Sequence, residues 1–319
     1  MKYALIFAAA MAIATPVAAE EWNMPTPYSD AIFHTQNISQ FADDLRAATN
    51  GKMDIKVHSA GSLFPHAEIK NAIRSGQVPI GEFFLSRLSN EDAAFGIDSQ
   101  PFVATSYDDA AKLWAAQKPV ITDLLAEQGL MPLFAVPWPA QGLYTKGEIK
   151  SVDQLNGLRF RAYNAALEEF ATLAGASPVQ IESPNIPQAF STGQVEAMIT
   201  SPSTGASSSA WDFVGHYNPI NAWVPKNIVV VNKAAFDGLS ADMQTAVLDA
   251  AAKAEARGWE MSAAEATTKT AVMADHGMAI DATSAELKTG LQAIGTKMLE
   301  GWNAKASDAA KSILTTYNK

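Results

Sequence analysis

The sequence predicts an α/β protein of two domains, and three observations carry that reading. Segments with strand and helix periodicity alternate along the chain, the pattern of sheets layered with helices. At 319 residues and 48% hydrophobic content the chain can build more than one core. From Ser240 to about Asp275 there is no Pro and a single Gly, Gly258, so this stretch reads as a helix too long for one small domain.

Taken in order, Ile38, Phe41, Ala42 and Leu45 recur at helical spacing. The Asn50-Gly51 turn follows, and then Met53, Ile55 and Val57 alternate with polar residues as a strand does. Ile69, Ala72 and Ile73 return to helical spacing. Helices fit Tyr107–Glu127, Asn164–Ala174 and Ile186–Thr192, and strands fit Met131–Val136, Leu158–Ala162, Val195–Thr200 and Ile228–Val231. This alternation favours largely parallel sheets. Ser240 is a good N-cap with Asp242 in the first turn, and a helix from there to Asp275 is about 50 Å long at 1.5 Å per residue. Its apolar positions keep no heptad, so it fits a helix laid along two domains better than a coiled coil. Ser201–Ser209 has the composition of a linker, yet it directly follows a strand, where ligand loops of open α/β sheets sit. Both readings stand at this level.

The N-terminus has one positive charge, Lys2, then an uninterrupted apolar run from Ala4 to Ala14 and small residues at Val17-Ala18-Ala19. That is the grammar of a secretory signal peptide, with residues 1–19 removed and the mature chain starting at Glu20. Losing Lys2 takes the net charge from −10 to −11. So acidic a chain repels nucleic acid and anionic membrane surfaces, and no later segment is apolar enough to insert into a bilayer. There is no cysteine, so an exported chain must rely on its core.

Signatures of catalysis are missing. No two glycines stand two apart, which excludes G-x-G-x-x-G, and Glu148 occupies the place of the phosphate lysine after the Gly142–Gly147 spacing. The five histidines form no i, i+4 metal pair. No cofactor and no metal are expected, although scattered acids could still meet in three dimensions.

Arg159 and Arg161 share one face of a strand, with Leu158 and Phe160 on the other. Two solvated charges are the ordinary reading of such a pair. A guanidinium is also the best side chain for gripping a carboxylate through two parallel hydrogen bonds. Phe83, Phe84, Trp138, Tyr144, Tyr163, Trp211 and Trp223 cluster near strand ends or in Pro-containing loops. Singly each is more often core, but together they could line a pocket.

Six segments in order resemble the substrate-binding subunits of tripartite ATP-independent periplasmic (TRAP) transporters. They are Phe41–Leu63, Gln100-Pro101-Phe102, Ile149–Arg161, Gly175–Val179, Gln188–Ala197 and Val231–Gln244, and they cover nearly all of the mature chain. The resemblance implies a periplasmic-binding-protein clamshell of two discontinuous α/β domains spanned by a long helix. Residues 20–142 with 225–265 would form one domain, and 143–224 with 266–319 the other. It further implies a periplasmic protein that captures a small organic carboxylate for two integral-membrane partner subunits. A sulfonate or dicarboxylate is an alternative ligand, and a secreted α/β enzyme an alternative class.

In this family the arginine ending the G-[LM]-[KR]-x-R segment holds the ligand carboxylate, and it falls on Arg161; Arg159 falls on a usually non-ligating position. The resemblance places Asn164 in the loop that follows. Tyr144 stands where some members carry a second arginine, and Phe84 stands near a polar ligand position. Asn185 replaces a usual glutamate, and Thr200-Ser201-Pro202 replaces an asparagine-containing loop. With Trp138 and Trp223 these residues imply a less polar pocket with one anion clamp. The ligand expected is a monocarboxylate with an apolar or aromatic body, such as a benzoate-like acid. Lys146 and Arg87 are further candidate cations for the pocket.

Overall fold

The computed structural model describes residues 19–319. The signal peptide expected at 1–19 lies, but for its last residue, outside the described residues. The chain opens with a βαβ unit. Strand β1 (Glu20–Pro25) pairs in parallel with β2 (Met53–His58), and α1 (Phe33–Ala48) crosses between them. Helix α1 buries Phe33, Ile38, Phe41, Ala42 and Leu45, the stripe expected of a helix laid on a sheet.

Next come α2 (His66–Arg74), β3 (Ile80–Phe84), α3 (Tyr107–Ala126) and β4 (Leu130–Pro137). Ser106 caps α3 by accepting a hydrogen bond from the Asp109 amide. The chain then crosses to a second lobe through β5 (Gly142–Thr145), β6 (Arg159–Ala162), α4 (Ala165–Leu173) and β7 (Ser177–Gln180). It continues with α5 (Ile186–Ser191), β8 (Ala197–Thr200), α6 (Pro202–Ser207) and β9 (His216–Asn218). It returns along β10 (Lys226–Asn232) and α7 (Lys233–Asp237) to α8 (Ala241–Asp275), and finishes with β11 (Ala279–Ile280), α9 (Ala285–Lys305) and α10 (Asp308–Tyr317).

Two α/β lobes result, each built from discontinuous segments as the resemblance implied. In the first, β10 lies between β3 and β4, antiparallel to both. This corrects the expectation of largely parallel sheets: β10 re-enters from the other lobe and so runs against its neighbours. The second lobe holds a six-stranded mixed sheet in the order β11-β9-β5-β8-β6-β7. Within it β7, β6 and β8 are mutually parallel and end at one edge of the cleft.

Helix α8 spans both lobes. Val247, Ala250, Ala251 and Ala254 pack into the first core, and Met273 into the second. Its one glycine, Gly258, sits where a Cβ would collide with Val136 and Asn37, so the missing side chain lets the helix lie close on β4 at that point. The chain end departs from the expected boundary, which gave 266–319 to the second lobe. Trp302, Ala306, Ala310 and Ile313 bury in the same core as Ile69, Leu113 and Ile228 of the first lobe. The reason is the amphipathic stripe of α10, which covers α3. Among the described residues no helix is long and apolar enough to cross a membrane.

Candidate functional site

Arg161 sits on β6 with neighbours on both sides, opposite Val179 of β7 and Met198 of β8. Its side chain is only 3% exposed. Nε donates to the Ile181 carbonyl oxygen at 3.0 Å, and the guanidinium carbon lies 5.0 Å from the centre of the Tyr163 ring. Nη1 is buried and has no hydrogen-bond partner. Burial pulls the guanidinium down to about 10, against smaller opposing effects of Tyr163 and Glu182, so it stays cationic at neutral pH.

Around this group lies a small cavity of about 40 Å3 between the lobes. Its second-lobe wall comes from the carboxyl ends of the three parallel strands: Arg161 on β6, Glu182 and Ser183 just beyond β7, and Thr200 ending β8. Ligands bind at this edge of open α/β sheets because the loops leaving parallel strands diverge there. Ser201 and Thr204 continue the wall; the Ser201 hydroxyl caps α6 by accepting from the Thr204 amide. Ser201–Ser209 thus holds a short helix whose start lines the cavity, and is not a linker.

The rest of the wall is aromatic. Tyr28 and Trp138 meet edge to face at 5.0 Å, and Phe84 and Tyr163 at 5.4 Å. Their polar tips are bound elsewhere. The Tyr28 hydroxyl and the Trp138 indole both donate to Asn227 Oδ1, at 3.2 and 2.9 Å. Asn227 Nδ2 in turn donates to Glu82 at 3.0 Å, which fixes the orientation of the amide. The Tyr163 hydroxyl donates to Gln141 Oε1 at 3.1 Å and accepts from Trp223 Nε1 at 3.2 Å.

Glu182 is the acid on the cavity wall, and it joins the lobes. Arg87 Nη1 reaches its Oε1 at 2.9 Å, and His66 Nδ1 lies 3.3 Å from its Oε2. His66 Nε2 accepts from the Phe84 amide at 3.1 Å, so the neutral ring carries its proton on Nδ1 and donates it to Glu182. Burial works to raise the Glu182 carboxyl, but the His66 hydrogen bond and the charges of Arg87 and Arg161 outweigh it and hold the group near 2. A third tie between lobes is Asn164 Nδ2 donating to Ser86 at 2.7 Å. Arg87 pairs directly with Glu182, whereas Arg161 feels that carboxylate only at longer range and makes no ion pair among the described residues.

Of the residues singled out from sequence, Arg161, Phe84, Trp138, Tyr163, Thr200 and Ser201 line the cavity. Tyr144, expected to face it, does not reach it. The ring lies fully buried against Tyr217, and its hydroxyl donates to the Ser201 carbonyl from behind. Tyr217, Gly205 of α6 and Met273 of α8 close over the ring, which leaves Tyr144 no open side. Trp223 supports Tyr163 from the second shell of side chains, Asn164 caps α4 and Asn185 is exposed. Lys146 is exposed and does not line the cavity, and Arg87 reaches the wall through Glu182 and the Tyr163 carbonyl. Tyr28, His66, Gln141 and Glu182 were not singled out. The first three are brought in by segments far apart in the chain and carry no local signal. Glu182 lies three residues before Asn185, the position where an acid was sought.

Two α/β lobes meeting at a cavity with a buried cation on its wall are the architecture of a clamshell solute receptor. The chain belongs to the family of bacterial extracellular solute-binding proteins, family 7, which it matches over residues 28–303, and is of the TRAP transporter type. A crystal structure of an extracytoplasmic solute receptor of Bordetella pertussis that binds pyroglutamic acid is 43% identical to it, with a TM-score of 0.93 over 94% of this chain and 100% of that one. A marine metagenome TRAP solute-binding protein specific for pyroglutamate is 39% identical, with a TM-score of 0.92 over 94% of this chain and 99% of that one. A solute-binding protein of Albidiferax ferrireducens is 25% identical over 70% of this chain and 67% of its own.

Proposed function

We propose that the protein captures a compact cyclic monocarboxylate of the pyroglutamate type and delivers it to TRAP membrane subunits. The observation that carries this reading is the unpartnered Nη1 of Arg161, buried at a cavity wall and in no ion pair among the described residues. An uncompensated guanidinium there is costly unless a ligand supplies the negative charge. One free positive charge suits one carboxylate, and the Glu182 carboxylate on the same wall opposes a second. Tyr28, Phe84, Trp138 and Tyr163 suit a small ring. The two receptors at 43% and 39% identity that bind pyroglutamate add direct support.

An aromatic monoacid is the second reading, favoured by the same aromatic walls, but it leaves Glu182 without a ligand group to meet. Mass spectrometry of small molecules released from purified protein tests the choice, followed by calorimetry with pyroglutamate, benzoate and succinate. Pyroglutamate should be recovered unchanged and bind most tightly; tighter benzoate or succinate binding would overturn the proposal.

The same reading includes cleavage after Ala19 and work in the periplasm. The lobes are proposed to comprise 20–142 with 225–265, and 143–224 with the chain from 266 to about Met298, after which Trp302 and α10 join the first lobe. N-terminal sequencing of exported protein should read Glu20.

A further inference from the structure

Resting on the reading of the cavity as a site for a pyroglutamate-like lactam, we propose that Glu182 is the specificity-determining residue for the ring. Its carboxylate accepts the ligand N–H, so the receptor selects cyclic acids that carry a hydrogen-bond donor and rejects isosteres that lack one. A carboxylate has about four acceptor positions over its two oxygens. Here one on Oε1 is taken by Arg87 and one on Oε2 by His66. The remaining positions belong to a group on the cavity wall. The tautomer of His66 is fixed by the Phe84 amide, so the ring cannot turn an acceptor toward Glu182 and leaves that carboxylate ionised.

Arg161 offers the cavity only donors and Glu182 offers it only acceptors. A ligand that satisfies both needs an acid for the first and an N–H for the second. A five-membered lactam with one carboxylate has both groups on one small ring. The corresponding γ-lactone has the same shape and charge but turns ring-oxygen lone pairs toward the carboxylate. A site built to hydrogen-bond an N–H strongly penalises an analogue without it. Glu182 is half-buried, so discrimination on the order of 100-fold is expected, below the limit for fully enclosed sites.

Glu182 also ties the lobes, so its loss weakens closure whatever the ligand. The ratio of lactam to lactone affinity, not either affinity alone, is therefore the readout. The probes are pyroglutamate and 5-oxotetrahydrofuran-2-carboxylate, measured by calorimetry on the mature protein. Wild type should favour the lactam by about 100-fold, and Glu182→Ala should bring the two within about threefold. Arg87→Ala removes one of the ties between lobes but keeps the acceptor, so both affinities should fall and the ratio should persist. If Glu182→Ala binds neither probe, the ratio in Glu182→Gln decides in the same way, since an amide oxygen accepts more weakly than a carboxylate. Equal affinity of wild type for both probes, or an unchanged ratio in the Glu182 variants, overturns the role of Glu182 and leaves the ligand class intact. Failure of wild type to bind pyroglutamate at all overturns both.

Discussion

The guanidinium carbon of Arg161 lies 5.0 Å from the centre of the Tyr163 ring, while its Nε is held by the Ile181 carbonyl. The ring face and the carbonyl fix the plane of the guanidinium, and the unpartnered Nη1 remains for a ligand. Arg159, two residues earlier on the same strand, is half-exposed and paired to Glu196 at 3.1 Å.

Arg161→Ala should therefore lower affinity for pyroglutamate by about 30-fold to several thousand-fold, the range for leaving a buried anion unpaired. Arg161→Lys should recover part, because an ammonium cannot reproduce the two-bond fork. Arg159→Ala should change affinity by no more than about threefold. Calorimetry at low and high salt checks this: equal losses at the two positions, erased by salt, would mean that Arg161 acts as surface charge only.

Removing the Tyr163 hydroxyl should affect stability more than binding. In Tyr163→Phe the ring face beside Arg161 survives, but Gln141 Oε1 and Trp223 Nε1 each lose a partner. A loss of about 1–3 kcal/mol in urea denaturation is expected, with affinity changed only a few-fold. A large affinity loss at unchanged stability would show that the hydroxyl itself meets the ligand.

Gly205→Ala tests the support behind the short helix whose start lines the cavity. A Cβ at Gly205 would collide with the Tyr144 hydroxyl and stand 2.8 Å from the Met273 sulfur. Overpacking of this kind costs about 1–3 kcal/mol. The displaced α6 carries Thr204 on the cavity wall, so affinity should drop together with the melting temperature. Wild-type behaviour in both would place Tyr144 elsewhere.

Acid should loosen the tie between lobes in two stages. His66 is held below its ordinary value, first by burial, so the folded state resists its protonation and stability falls as pH drops below about 6.5. The Glu182 carboxyl is held near 2, so its contribution is fully present above the ordinary carboxylate value, about 4.5, and is lost as pH falls from there toward 2. The Glu182 side chain faces Arg87, His66 and Arg161. Thermal melts of wild type and Glu182→Gln from pH 7 to pH 3 should converge below about pH 4.5. A gap that stays constant with pH would exclude an ionised Glu182 as the source.

Ligand-driven closure is the last expectation. Arg87, His66 and Ser86 of one lobe reach Glu182 and Asn164 of the other at hydrogen-bond distance, contacts that exist only with the cleft shut. A ligand bound to Arg161 and these closing residues favours that state by its differential contacts. Small-angle scattering should show a smaller radius of gyration with saturating pyroglutamate. An unchanged profile would mean that the lobes do not hinge.

Much of the architecture was legible in the sequence because it depends on local pattern. The Pro-free run after Ser240 dictated α8, the alternation at Met53, Ile55 and Val57 dictated β2, and the strand ending in Arg161 together with the family resemblance pointed to the anion clamp. The antiparallel course of β10 and the return of α10 to the first lobe were not legible, since both depend on which distant segment each covers. The same holds for the cavity wall. Tyr28 is set by Asn227 across 199 residues, and Glu182 by Arg87 across 95. Tyr144 occupies a strand like that of Arg161, but neighbouring strands and Gly205 enclose it in core. Residue order fixes hydrophobic period, helix caps and charge. Which polar atom is left without a partner at a cleft depends on long-range packing, and here that packing leaves Nη1 of Arg161 free while it ties Glu182 to the opposite lobe.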